Sequence, residues 1–315
     1  AMAAAPASAS ASPEAPRSIL VLYSNSRLLP ANVEFDHGLR LSLSAAAGPA
    51  VEILDEFLDV PRFEAPEHLR TMRSYLRDKY THRPPAVLVA AGEEALRFLA
   101  AHRGDLFTGV PLVFSAVGRT ALRELEPLPA DVIGIPLEFD FVGTVTQAMQ
   151  WHPNARRLWI VTGAAGWDRL VESRLRREAK AFADRLTVEF LSALPAAELY
   201  ERLGALQSDS IVFTPGFFQD GAGRNFIPRD SVEAMAAAAA APLHGAYLTV
   251  LGTGAVGGSV SSFADAGREA GRATVQVLGG ANPSSLALPE TVPSMLHVDW
   301  RQVRRWKIDE SAIPA

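Results

Sequence analysis

The stretch that decides the fold is GAYLTVLGTGAVGGSVSSFADAGREAGRATVQVL, residues 245–278. Its glycines at 252, 254 and 257 fit the G-x-G-x-x-G spacing, in which the backbone approaches a pyrophosphate at a helix N-terminus. That site requires a strand, a turn and then a helix. Here Ser-Val-Ser-Ser follows Gly258, and the helical pattern starts only near Ala264. The motif therefore does not favour a dinucleotide-binding enzyme.

The alternative interpretation places these glycines in a turn at the mouth of a cleft. An extended segment would then leave one lobe and enter a helix of the other. That helix carries small apolar side chains at helical spacing, which predicts a face that packs closely against a sheet. The predicted face consists of Ala266, Ala270, Ala273 and Val277.

Length and composition predict a globular protein of two domains. The chain has 315 residues, of which 48% are hydrophobic and 21% charged. The net charge of −5 gives no basic footprint, so neither nucleic acid nor an anionic lipid surface is an expected partner. There is no cysteine, which excludes disulfides and thiolate chemistry.

The N-terminal segment and the hydropathy pattern bear on location. Residues 1–17 are mostly Ala, Ser and Pro, which predicts a disordered linker or tag. No window holds 18 uninterrupted apolar residues, so no transmembrane helix is predicted within this sequence.

From residue 18 onward, β-rich runs alternate with amphipathic helical patterns, which is typical of parallel sheets covered by helices. Strands are predicted at 19–23, 51–57, 86–90, 112–115, 132–135, 158–162, 187–191, 211–214 and 243–249. Helices are predicted at 66–80, 141–151, 167–183 and 229–240.

The pattern starts again after Pro136, which predicts an α/β fold of two Rossmann-like lobes with a cleft at the carboxyl ends of the strands. The first lobe would comprise 18–137 and 259–286, and the second 138–258 and 287–315. Three crossing segments, at 134–140, 258–263 and 287–293, would join them.

Residues at the ends of predicted strands, or just after them, are the candidate ligand contacts, because a rigid sheet positions them at the cleft. The first lobe would contribute Ser24, Asn25, Arg27, Gly92, Glu93, Ser115, Ala116 and Val117. The second would contribute Thr162, Ala164, Trp167, Phe217, Phe218, Tyr247 and Thr249. The aromatic residues could stack on a flat ligand or simply fill the core. Arg27 could clamp a carboxylate or form a surface ion pair.

Motifs for hydrolysis, phosphoryl transfer and metal binding are absent from the sequence, so no catalytic residue, cofactor or metal site is predicted. The adjacent acids Glu93 and Glu94 could be general acid–base partners, although adjacent acids more often mark a helix start. An enzyme that uses Glu93 and Asp168 is the least favoured alternative.

Several segments together resemble the substrate-binding-protein-like family of ABC transporters, over residues 18–308. They are LVLYS at 20–24, EFLDVPRF at 56–63, PPAVLVAAGEEALRFL at 84–99, GVPLVFSAV at 109–117, FFQDGAGRNFIPRD at 217–230 and HVDWRQVRRWKI at 297–308. The resemblance implies the type I periplasmic-binding-protein fold. The last two segments are most similar to extracytoplasmic sensor domains of bacterial histidine kinases.

The resemblance implies a non-enzymatic domain that closes on a small organic ligand in the periplasm. The ligand class stays open between aromatic or aliphatic carboxylates, amino acids and neutral compounds. A sensor domain of a two-component system, tethered to the inner membrane, would pass the lobe angle to a kinase through the helix at 300–306. A solute-binding protein that delivers ligand to a transporter is the alternative. A homodimer is also left open.

Overall fold

The computed structural model describes residues 17–47, 51–60, 62–63 and 65–314. The predicted linker at 1–17 therefore lies outside the described residues, except for Arg17. Arg17 is the first residue of the first strand, and its guanidinium donates to the carbonyl of Leu278, 2.5 Å away.

The first lobe is built on a five-stranded parallel sheet of order β2-β1-β3-β4-β5. Its strands are β1 (Arg17–Tyr23), β2 (Val51–Phe57), β3 (Val87–Ala91), β4 (Leu112–Ser115) and β5 (Val132–Ile135). The helices between them are α1 (Pro30–Ala47), α2 (Pro66–Tyr80), α3 (Glu93–Leu106) and α4 (Arg119–Leu125).

Alternate residues of one strand belong to two cores, which is why β1 reads as a continuous apolar run. Ile19, Val21 and Tyr23 pack with α1, and the next residues along the strand, Leu20 and Leu22, pack with α2 and α3. Successive side chains of a strand point to opposite faces, so both faces of this sheet are covered by helices.

The second lobe repeats this plan on a four-stranded parallel sheet of order β7-β6-β8-β9. Its strands are β6 (Arg157–Thr162), β7 (Thr187–Ser192), β8 (Ser210–Thr214) and β9 (Leu243–Gly245). Helices α5 (Phe141–Trp151) and α6 (Gly166–Glu178) cover one face, and α7 (Ala196–Gly204) and α8 (Pro228–Ala238) cover the other.

The predicted strand at 243–249 is wrong in its second half. β9 ends at Gly245, and Leu248–Val250 forms a turn of 3-10 helix. The chain turns tightly there, since a Cβ on Gly245 would lie 2.4 Å from a methyl of Val250. Because of this turn, Tyr247 and Thr249 leave the sheet edge and reach the cleft.

Three segments cross between the lobes. The first follows β5. The second joins β10 (Gly257–Val260) to helix α9 (Phe263–Leu278), and the third leads to β11 (Met295–Val298) and helix α10 (Trp300–Arg305). The buried hydroxyl of Ser261 donates to the carbonyl of Glu138 and lies 2.8 Å from Ser294 Oγ. One serine of the second crossing therefore hydrogen-bonds both other crossings.

The structure confirms the predicted small face of α9. Its four residues, 266, 270, 273 and 277, belong to the core that contains Ile19 and Val21. The adjacent face lies so close to α1 that a Cβ on Gly267 would be 2.0 Å from the carbonyl oxygen of Phe35. Gly257 and Gly258 lie in the antiparallel pair β10–β11, not at a helix start, which removes the geometry of a dinucleotide site.

Candidate functional site

The candidate site is a cavity of about 570 Å³ between the two sheets. It is lined by residues that follow strands of both lobes, and by Glu138 and Phe139 of the first crossing. Pockets of several hundred Å³ at a domain interface are the usual location of small-molecule sites. Among the described residues, no group of three or more His, Asp or Glu side chains is arranged to hold a metal ion.

Nine of the fifteen predicted contacts line this cavity, as the parallel topology requires. They are Ser24, Asn25, Gly92, Glu93, Ala116, Trp167, Phe218, Tyr247 and Thr249. The structure thus brings strand-end residues from distant parts of the sequence to one place. Whether these residues bind a ligand stays a prediction.

The other six predicted contacts lie outside the lining of the cavity. The Ser115 hydroxyl is fully buried against the carbonyls of Ile135 and Ala266, and Val117 belongs to the apolar core of the first lobe. Arg27 is exposed and is not part of the cavity lining. The Thr162 hydroxyl donates a hydrogen bond to the Ser192 hydroxyl. The backbone N–H of Ala164 donates to the carbonyl of Gln219. Phe217 packs edge-on against Phe226.

The first-lobe wall is formed where the end of β1 meets the start of α3. The Ser24 hydroxyl accepts a hydrogen bond from the backbone N–H of Ala95, 2.9 Å away, and so satisfies a free donor of the first turn. Gly92 precedes the helix with φ +101, and a Cβ there would lie 2.5 Å from Ser24 Oγ. Only glycine fits this junction, because the backbone conformation and the close serine both exclude a side chain.

Carboxylates of this wall differ in their partners. Glu93 pairs with Arg97 at 2.8 Å, and the same guanidinium bonds Glu124 at 2.5 Å. Burial raises the pKa of Glu94, and the charge of Glu93 raises it further. The backbone, Arg97 and the Ser24 hydroxyl offset part of this rise. Within the described chain, no basic side chain forms an ion pair with Glu94.

The second-lobe wall is aromatic. Trp167 and Phe218 meet edge to face with ring centroids 5.5 Å apart, and Tyr247 lies 4.9 Å from the ring of Phe263. Phe139 packs edge-on against Tyr247 at 5.7 Å. Burial raises the pKa of Tyr247, so its phenol stays protonated and able to donate a hydrogen bond. This wall offers ring faces and edges with a hydroxyl among them.

A buried carboxylate holds the aromatic wall in place. Asp168, 1% exposed, accepts hydrogen bonds from the backbone N–H groups of Ala165, Phe218 and Gln219 at 2.9 to 3.4 Å. Burial raises its pKa to about 6, although these three backbone donors act to lower it. Asp168 does not line the cavity, so the geometry does not support its expected role as a cleft acid beside Glu93.

Arginine side chains that line the cavity are occupied by protein partners. Arg174 binds Glu138, binds Glu178 at 2.6 Å, and lies over the Phe139 ring at 4.3 Å. Arg229 donates to the carbonyl of Thr249. These contacts tie α6 to the first crossing and α8 to the turn after β9.

The sequence interpretation missed several lining residues. Glu94 stood beside the predicted contact Glu93 but was assigned to a helix start, which it also is. Phe139 lay inside a predicted linker, whose apolar character was its only signal. Arg174, Arg229 and Phe263 lie on helices and carry no strand-end signal, so only the packing of the lobes brings them to the cavity.

Comparisons with known proteins bear on the fold. No family model matches the sequence, and no curated protein matches it significantly. The structure is similar to the ABC domain of Streptococcus pneumoniae in complex with L-Trp. The identity is 17%, 94% of this chain and 97% of that chain are covered, and the TM-score is 0.69.

Two further structures resemble the chain over nearly its whole length. One is a conserved domain protein from Vibrio cholerae, at 18% identity, with coverage of 94% and 97% and a TM-score of 0.68. The other is the ligand-free, open form of a substrate-binding protein with adhesive properties from Clostridium difficile. There the identity is 13%, the coverage is 93% and 96%, and the TM-score is 0.69. The fold of this chain is therefore the two-lobed type I periplasmic-binding-protein fold.

Proposed function

We propose that the chain is a binding domain that closes its two lobes on a small organic ligand and catalyses no reaction. The observation that carries this proposal is the cavity of about 570 Å³, whose lining comes from both lobes. A ligand that contacts both walls binds the closed form more tightly and shifts the population toward it. The similar S. pneumoniae domain was determined with L-Trp bound, which supports a ligand of this size.

The lobes in this proposal are 18–137 with 259–286, and 138–258 with 287–315. Helix α9 packs on the first sheet, which supports its assignment to the first lobe. Val303 of α10 packs with Trp151 of α5, which supports the assignment of the C-terminal segment to the second lobe. The crossings joined by Ser261 would then be the hinge.

The finer proposal is an extracytoplasmic sensor domain tethered to the inner membrane as part of a histidine kinase. Because α10 packs on the second lobe, a change of lobe angle would move the chain that continues from it. A solute-binding protein of an ABC transporter fits the same fold equally. In the described part of the chain, no helix combines the length and apolar character needed to span a bilayer.

A direct test starts from the purified protein. Mass spectrometry of small molecules released on denaturation would identify a retained ligand, and X-ray scattering before and after its return would measure closure. We expect a smaller radius of gyration in the bound form. Turnover of the ligand would contradict a pure binding role, and scattering that does not change when the released molecule is returned would contradict closure on the ligand.

A variant that fills the cavity tests whether the ligand binds there. A Cβ on Gly166 would meet no atom within 4 Å, and the residue lines the cavity at the start of α6. We expect Gly166→Trp to remain folded and lose the ligand.

The sensor role is tested in the full-length protein, where ligand should change kinase autophosphorylation in membrane vesicles. Autophosphorylation that does not respond to the ligand would contradict the sensor role.

A further inference from the structure

The charges that line the cavity differ in how they are neutralised. Arg97 is held by Glu93 and Glu124, and Arg174 by Glu138 and Glu178. Arg229 donates to a backbone carbonyl, and the nearby Glu34 adds a negative charge beside it. Exposed Arg177 donates to the carbonyl of Ser173. Enclosed guanidinium groups are therefore already partnered.

Glu94 is the contrasting group. Glu94 lines the same cavity at the first turn of α3, and the polar neighbours of its carboxylate are its own backbone N–H and the Ser24 hydroxyl. Burial raises its pKa, which reflects the cost of holding a negative charge in this enclosed place. A cationic group of a ligand would offset part of that cost, whereas a ligand carboxylate would meet a like charge.

The opposite wall suits the same kind of ligand. Trp167, Phe218 and Tyr247 present aromatic surface to the cavity, and aromatic faces attract both apolar groups and cations. The protein already places a cation on this wall, since Arg174 lies over the Phe139 ring. A ligand with an ammonium group at Glu94 and an apolar or aromatic body against the second lobe would contact both walls.

We propose that the ligand is an organic amine with an apolar or aromatic body, and that its ammonium group pairs with Glu94. This inference rests on the proposed binding function and specifies its ligand class. It narrows the choice among carboxylates, amino acids and neutral compounds that the sequence left open. A free amine or an amino acid satisfies it, whereas a simple carboxylate does not.

Three probes of matched size separate the classes by charge. They are 2-phenylethylamine, 2-phenylethanol and 3-phenylpropanoate, and their dissociation constants are measured by calorimetry on the whole chain. We expect the amine to bind at least about tenfold more tightly than the other two, the factor that corresponds to about 1.4 kcal/mol. Equal or tighter binding of the carboxylate or the alcohol would overturn the proposal.

Variants of Glu94 test whether this residue pairs with the ammonium group. Glu94→Gln should weaken the amine at least about tenfold and change the alcohol less than about twofold. Glu67→Gln makes the same chemical change at the first turn of α2, outside the cavity, and should change neither. Glu94→Asp keeps the charge and should retain the preference for the amine. If Glu94→Gln unfolds, as judged by circular dichroism, the ranking of the three probes on the wild-type chain still tests the ligand class.

The outcomes also separate this inference from the binding function. If the alcohol or the carboxylate binds and the amine does not, the ligand class is wrong and the binding function stands. If none of the probes binds at millimolar concentration, the ligand class is again wrong. The retained-ligand measurement then decides the binding function independently.

Discussion

The two walls of the cavity are built in different ways. The first-lobe wall is polar and is formed by a strand end and a helix start, where Ser24 caps α3 and Glu94 lines the cavity. The second-lobe wall is aromatic, with Trp167 and Phe218 carried by segments that Asp168 holds together. The first wall offers a charged group, and the second offers aromatic contact area. Substitutions in the two walls should therefore have different effects on stability and on ligand affinity.

The largest expected effect is on the support of the aromatic wall. Asp168→Ala leaves three backbone N–H groups without their acceptor, and we expect a loss of about 3 kcal/mol or more in the free energy of unfolding. Urea unfolding measures it. Asp184→Ala, an exposed acid of the same lobe, is the control and should cost less than about 0.5 kcal/mol. A small loss in Asp168→Ala would mean that the aromatic wall stands without this carboxylate.

The protonation of Asp168 gives the next effect. Its pKa of about 6 in the folded state exceeds the ordinary value of 3.8, so the folded state binds the proton more tightly. Its stabilising contribution is therefore complete below about pH 3.8 and is lost as the pH rises through about 6. The stability of the wild type relative to Asp168→Asn should be about 2 to 3 kcal/mol greater at pH 4 than at pH 7. A difference that does not change with pH would contradict the shifted pKa.

Removal of an aromatic ring tests whether the second wall supplies contact area. Trp167→Ala should weaken binding of the retained ligand by about 1 to 2 kcal/mol, because the exposed ring edge and face are lost from the cavity. Trp300→Ala, a half-exposed tryptophan outside the cavity, should leave affinity unchanged. Titration calorimetry measures the affinity of both variants. Equal effects of the two substitutions would mean that the aromatic wall does not contact the ligand.

The cap of the first wall is expected to matter for stability by a smaller amount. Ser24→Ala removes the acceptor for the N–H of Ala95 and should cost about 1 kcal/mol, the usual value for loss of a helix cap. The melting temperature and urea midpoint measure this loss. No change in either would show that the first turn of α3 is satisfied by another group.

The smallest effect concerns a predicted contact that lies outside the cavity. Arg27 is exposed, so Arg27→Ala should change ligand affinity by less than about 0.5 kcal/mol. A loss of tenfold or more would mean that closure brings the loop after β1 onto the ligand. That result would restore the carboxylate clamp that the sequence suggested.

Part of the site was predictable because parallel strands end at one edge of a sheet. Strand ends such as Ser24 and Gly92 follow directly from that rule. Tyr247 was also predicted as a strand-end residue, but of a strand that was expected to run over 243–249, and it reaches the cavity only because the chain turns after Gly245. The right residue was thus predicted from an incorrect local structure.

The sequence by itself determined the two α/β halves, the small face of α9 and most element positions. These depend on local periodicity and on the size of side chains. The tertiary structure alone decided which acids lie in the cavity and which arginines are already paired. Asp168 and Glu94 look alike in sequence, yet one binds backbone N–H groups in the core and the other faces the cleft. Burial and charge partners are set by segments distant in sequence, which no local pattern records.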